Sequence, residues 1–408
     1  MNESNAILRA PRASRVRAAA GRSVTVLAGL GALVGGLAVA SPAHAVTPVP
    51  CSATALTAAI NAANANAGGT VTLTPGCVYD FLQPPAPGAG AALPTITSPI
   101  TVNGNGATIQ RDPSAPLFRL LDIGDHGRLT AGVLTLKGGH TAPLSSGQDA
   151  GGAVLVETGG ALYGSGLTVT HNAATEGGGI MNAAGATATL NASTVSDNTA
   201  QNSGSGVGGG ISNNGTLTLT ASRLQNNQAD FAGGGFDQDS GTSSIDGTVI
   251  SGNTADYGGG IDHDGGPVTV TASSVDNNRG TAADATGAGG GIWNDAPLTI
   301  SASAITHNQA SDPTGSAGGI ANESGATLVL KVSSISANTA GGQAGGLYNS
   351  DAGTTATLYL SSVTGNTSGT GPGGVFNSAT VHNTFSVIQG NTPSNCKGSL
   401  NSVPGCVN

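Results

Sequence analysis

The chain has 408 residues, of which 67 are glycine, with 9% charged and 3% aromatic side chains, 13 of them basic Lys or Arg and 22 acidic. So few large side chains exclude a compact core of ordinary layers, and the periodic recurrence of Val, Ile and Leu excludes a disordered chain. The acidic balance sets aside nucleic acid and anionic lipid as partners, because a negative surface repels both.

Residues 1–45 read as a signal peptide. Arg9, Arg12, Arg15, Arg17 and Arg22 precede an apolar run over 24–40, and Ala43-His44-Ala45 supplies the small-x-small pattern of a cleavage site. Removing five of the 13 basic residues and Glu3 leaves 8 basic against 21 acidic, net −13, in a mature chain beginning near Val46. Beyond the leader no apolar run is long enough to span a bilayer, so a secreted protein is expected. Cys51 and Cys77 lie near one end, Cys396 and Cys406 near the other. Export and proximity suggest the disulfides Cys51–Cys77 and Cys396–Cys406; metal ligation is the alternative, but no His stands at zinc spacing.

From about residue 150 the chain repeats. Each unit carries a glycine pair before an aliphatic residue ("GGGI", "GGGF", "GGL"), an alternating strand ("TLTLTAS", "PVTVTAS", "TLVLKVS"), and an aliphatic residue three places before Asn ("VSDN", "LQNN", "ITHN"). That Asn falls at 172, 198, 227, 253, 278, 308, 338, 366 and 391. The uneven spacing points to short strands joined by loops of variable length. Such strands cannot bury a face alone, and coiling them into a parallel β-helix sets each beside its counterpart one coil on, about 4.8 Å away. The Asn column then sits at a turn, one amide above the next, and glycines supply the backbone angles of another corner.

The alternation of glycine pairs with aliphatic-x-x-Asn resembles the repeat of the polymorphic outer-membrane-protein family, and more widely the pectin-lyase-like right-handed parallel β-helices. The opening "CSATALTAAINAANANAGGTVTLTPGCVYDF" is similar to the cap that begins many exported β-helices. The resemblance implies a short capping helix over Ala55–Ala65 followed by a strand, with "ITVNGNGATI" as an early coil. The expected fold is an all-β, single-stranded right-handed solenoid. Residues 46–100 form its N-terminal cap and first strands, 101–395 the β-helix, and 396–408 a disulfide-stapled tail. In departure from the outer-membrane members, which end in a membrane barrel, no such barrel is expected from this sequence.

Two units depart from the rest. "GGGFDQDSG" (233–241) and "GGGIDHDGG" (258–266) crowd acids where other coils place one Asn. Aligned on the aliphatic residue, Gln238 and His263 take the inward place held elsewhere by Asn182, Asn213, Asn294, Asn322, Asn349 and Asn377. Asp237 stacks beside Asp262 on the outward side, and Asp239 beside Asp264, with Asp295 and Glu323 continuing the second column. Carboxylates one coil apart repel unless a proton, cation or water intervenes, so Asp237, Asp239, Asp262 and Asp264 are candidate Ca²⁺ ligands.

The loops "QADFA" and "TADY" are short and lie between the longer "TAQNSGSGV" and "RGTAADATGA", which predicts a notch. On its floor Asp230 should stack on Asp256 and Phe231 on Tyr257. Rings beside carboxylates suit a sugar, whose C–H face meets the ring and whose hydroxyls donate to the acids. The favoured reading is an exported, non-catalytic protein that binds polysaccharide or cell-surface glycan through Asp230, Phe231, Asp237, Asp239, Asp256, Tyr257, Asp262, His263 and Asp264. A lyase or glycoside hydrolase using the same notch is the alternative, with Asp237, Asp262, Asp256 and Arg279 as catalytic candidates. A structural or adhesive surface protein is the third.

Overall fold

A computed structural model of the chain describes residues 47–85, 90–141, 149–282 and 288–408; the expected signal peptide over 1–45 and the expected mature start near Val46 lie outside the described residues. Among the described residues, parallel strands form three sheets of 22, 10 and 8 strands. One coil shows the plan. Thr216–Thr220 turns Leu217 and Leu219 into the core, and Ala221 bends the chain with a φ of 48°. Arg223–Gln225 buries Leu224, and Asn226, with a φ of 53°, makes a second bend into Gln228–Ala229. A loop and three glycines then lead to Phe236–Gln238, which completes the coil.

Because the strands of successive repeat coils meet in register, one aliphatic column runs through seven coils. Leu190, Leu219, Ile245, Val270, Ile300, Leu330 and Leu358 are successive partners, none more than 1% exposed. Each such burial is worth roughly 1.5–3 kcal/mol. The core therefore grows by one layer per coil, and short side chains suffice to fill it.

Polar columns bind the turns. From Asn198 to Asn391, each buried Asn of the expected column accepts at Oδ1 from both the backbone N–H and the Nδ2 of the Asn one coil earlier. Its own Nδ2 also reaches back to a strand carbonyl, as Asn253 does to Leu224 and Asn278 to Ile250. A second column follows the five-residue strand, where the backbone N–H of Ser193, Ser222, Thr248, Ser273, Ser303 and Ser333 donates to the hydroxyl one coil on. The sequence shows this column only as a recurring "AS" or "SS" after the strand. Both columns satisfy backbone groups that would otherwise be orphaned at a buried turn.

The N-terminal end is closed by the helix Ala53–Ala65, which is capped by Ser52 and buries Leu56, Ile60 and Ala63. Gly69–Thr72 and Val78–Phe81 both pair with Pro99–Arg111, so coiling already begins within residues 46–100. At the other end Asn395 receives the last ladder amide, from Asn391. The disulfides are Cys51–Cys77 and Cys396–Cys406, as proximity suggests. No helix among the described residues is long and apolar enough to cross a membrane.

The Asn column should carry much of the stability. Asn253→Ala strands the Nδ2 and N–H of Asn227 and the carbonyl of Leu224, and is expected to cost about 3 kcal/mol or more in urea denaturation. Asn191→Ala, on the exposed outer face of a strand, should change stability by no more than about 0.5 kcal/mol.

Candidate functional site

Phe236–Gln238 and Ile261–His263 pair in register, so Asp237 faces Asp262 and Gln238 faces His263 although 25 residues separate each pair. The next partners are Trp293 beside Asp262 and Asn294 beside His263. The stacking expected from the repeat is present. Its environment is not the expected one. Asp237 and Asp262 are 1% and 3% exposed, rather than turned to solvent. The turn before the strand lies against them: a Cβ on Gly233, whose φ is 62°, would stand 2.5 Å from Asp237 Cβ. The alternation was read correctly, but the glycine turn covers the outer side of the strand.

Burial dominates the chemistry of the pair. It pushes the Asp237 carboxyl well above the usual carboxylate range, and the charges of Asp239 and Asp264 push it further. Asp262 is raised first by burial, then by Asp264, Asp237 and Asp295. The pair thus keeps a proton at pH values where an exposed aspartate has lost it. The Ser212 hydroxyl donates to Asp237 Oδ2 at 3.1 Å, while Oδ1 is buried with no hydrogen-bond partner among the described residues. Asp295, half-buried, is raised to about 6, mainly by burial and then by Asp264. Among the described residues no three metal-ligating side chains are grouped to hold an ion, so the calcium site expected at Asp237, Asp239, Asp262 and Asp264 finds no ready-made cage.

His263 occupies the ladder position the repeat assigns it and is fully buried. Its Nδ1 lies 2.7 Å from Asn294 Oδ1, and its Nε2 lies 2.7 Å from the Gly266 carbonyl. The orientation of Asn294 is set downstream. Asn294, Asn322 and Asn349 each donate from Nδ2 to the next Asn, and Asn322, Asn349 and Asn377 also donate to the carbonyls of Thr355, Thr380 and Ser402. Both ring nitrogens of His263 therefore face acceptors, an arrangement that only the imidazolium satisfies in full. Burial nonetheless holds its pKa below the ordinary value, against the pull of those acceptors and of Asp264. The neutral ring leaves one close contact without a proton. Gln238 takes its amide elsewhere, donating to the Gly265 carbonyl, so among the described residues the side-chain ladder is interrupted between Gln238 and His263.

The expected floor needs two corrections. Asp230 is engaged within the protein: its carboxylate accepts the backbone N–H groups of Asn202, Gly204 and Gly206, tying down the long loop of the preceding coil. Asp256 accepts the Thr281 hydroxyl at 2.6 Å, and so serves the loop that follows. Of the two walls, the loop containing Asn202–Gly206 is described, whereas 283–287 of the other lie outside the described residues. Arg279 is exposed and sits between Thr254 and Gln309 on a different sheet from Asp262. No ion pair joins it to Asp256 among the described residues.

Phe231 and Tyr257 do meet, with ring centroids 5.4 Å apart at 67°. The sequence reading missed the third member: Trp293 lies edge-on to Tyr257 at 4.6 Å and 86°. All three rings are half-buried. Trp293 is the sole tryptophan of the chain and stands one place after the aliphatic residue, where neighbouring coils carry Asp237 and Asp262. That shared column was the available signal.

No protein-family model and no curated protein sequence matches the chain. Among solved structures, the A-module of a mannuronan C-5 epimerase from Azotobacter vinelandii is similar at 15% identity and a TM-score of 0.34, over 82% of this chain and 94% of that one. So distant a likeness carries nothing about the chemistry of Asp237 or Asp262. Of the expected resemblance, the architecture is present, a parallel β-solenoid, and no family model matches the polymorphic outer-membrane or pectin-lyase-like repeats.

The raised carboxyls fix a pH dependence. Each has a folded pKa above its unfolded value near 3.8, so the folded chain holds extra protons above about pH 4. Their stabilisation is present at acid pH and is lost as pH rises, through about 6 for Asp295 and well above the usual carboxylate range for the buried pair. Asp237→Asn should therefore raise the Tm at pH 8 by about 2–4 °C and give no gain at pH 4, as read by calorimetry.

Proposed function

We propose that the protein binds a polysaccharide or cell-surface glycan along the flank formed by Phe231, Tyr257 and Trp293, without cleaving it. The observation that carries this reading is the ladder of three half-buried rings over three consecutive coils, in a chain with only 3% aromatic residues. An extended sugar chain offers apolar C–H faces at regular intervals, and rings fixed by their neighbours meet them at little entropic cost. Asp239 and Asp264, less buried than the Asp237–Asp262 pair, would accept from sugar hydroxyls beside the rings.

One observation favours hydrolysis: Asp237 and Asp262 have the raised pKa of a general acid. Their burial argues against it, because a group that protonates a glycosidic oxygen must touch it. The binding reading is therefore preferred.

Retention on a panel of immobilised polysaccharides tests it. Trp293→Ala should weaken binding to the retained glycan about tenfold or more, and incubation should release no new reducing ends. Retention unchanged by Trp293→Ala, or product formation abolished by Asp262→Asn, would refute it.

A further inference from the structure

A separate pocket of about 320 Å³ lies in the early coils, lined in part by Gln110, Arg111, Lys137, Gly138, His140 and His171. Its composition is unusual for this molecule. The mature chain carries 8 basic residues against 21 acidic, yet two of those eight converge here together with two histidines.

The pocket forms where the Asn ladder begins. Asn172 is its first described member, and Asn172 Oδ1 accepts the N–H of Gly139 at 2.8 Å. A Cβ on Gly139 would stand 2.1 Å from the Gly152 carbonyl oxygen, so no ladder side chain fits at that place. Arg111 reaches in beside it. Its Nε donates to the Gly138 carbonyl at 2.8 Å and its Nη1 to the Ala115 and Asp112 carbonyls at 2.8 and 3.2 Å. The guanidinium is thus held by neutral backbone oxygens, which fix its position without forming an ion pair. Nη2 makes no hydrogen bond among the described residues.

Among the described residues no carboxylate pairs with it directly, although the charge of Asp112 lies near enough to act on it. Asp112, the nearest in sequence, turns its Oδ1 to the N–H and hydroxyl of Ser114, and Asp80 accepts from Gln110 Nε2. Lys137, exposed in the strand between Gln110 and Thr170, has no ion pair among the described residues. His140 is half-buried, and its pKa is lowered first by burial and then by the Arg111 charge. His171 stands in the left-handed region at a φ of 55°, with Nδ1 2.8 Å from the Thr170 hydroxyl.

One held and one exposed cation, neither in an ion pair among the described residues, suit a dianion. A carboxylate would neutralise one of them, whereas a phosphate monoester, with about −1.5 to −2 charges at pH 7 and three acceptor oxygens, matches both. We infer that the pocket of Arg111, Lys137, His140 and His171 binds a phosphate dianion, either free or as the monoester of a sugar. This site is independent of the ring flank, and neither reading requires the other.

Titration calorimetry of the protein at pH 7 and constant ionic strength, with sodium phosphate, glucose 6-phosphate and glucuronate, tests the inference. Both phosphates should bind at one site per chain. Tighter binding of glucose 6-phosphate identifies a sugar monoester as the ligand, and equal binding identifies free phosphate. Lys137→Gln, on an exposed side chain, should weaken binding about tenfold, with Lys137→Arg restoring it and Trp293→Ala leaving it unchanged. Arg111→Gln is the less clean variant, because Arg111 also holds backbone carbonyls. Absence of phosphate binding, an unaffected Lys137→Gln variant, or glucuronate binding as tightly as glucose 6-phosphate would overturn it.

Discussion

In-register parallel stacking governs this molecule. Each coil can add its hydrogen bonds and its core layer only if every position sits above its equivalent in the coil before, and the Asn column enforces that alignment with an amide at each turn. The composition follows. A core one strand thick on each side needs Val, Ile and Leu rather than large rings, and tight corners need glycine or left-handed residues such as Ala221 and Asn226. Stacking also sets the main liability. Whatever a coil places at one position must tolerate its likeness a few ångströms away, which is comfortable for leucine or asparagine and costly for aspartate.

Asp237 and Asp262 accept that cost in full. In the same column neighbouring coils carry Met181, Ser212, Trp293 and Ala321, none of which ionises in the physiological range. Two adjacent buried carboxyls are therefore a local departure from an otherwise self-consistent sequence, of the kind associated with function rather than folding. The break in the side-chain ladder falls in the same two coils. Charge is also distributed along the axis, with a basic pocket in the early coils and an acidic cluster beside the rings in the middle, though the chain as a whole is strongly negative.

The repeat was legible because periodicity reports directly on stacking: the Asn column, the inward aliphatic residues and the facing of Asp237 and Asp262 all follow from alignment alone. Burial was not legible, because alternation tells which side of a strand a residue takes and not what covers that side. The covering agent here is a turn of glycines, whose effect depends on its path. Asp230 was misplaced for a related reason. An acid in a short loop looks available until the neighbouring long loop is seen folding its amides onto it. Trp293 was missed because the rings were sought within one loop type, whereas the third comes from a strand. The hydroxyl column escaped notice because Ser after a strand is common, and only its buried repetition gives it meaning.

The cross-links at both extremities have a mechanical corollary. A stack of coils held only by nearest neighbours ordinarily frays from its ends, where a terminal layer has one partner instead of two. Here Cys51–Cys77 ties down the first layer and Cys396–Cys406 the last. Among the described residues the lapse in side-chain continuity, between Gln238 and His263, lies instead in the middle coils that carry the proposed glycan-binding flank, where the Asn column and the strand pairing run on unbroken.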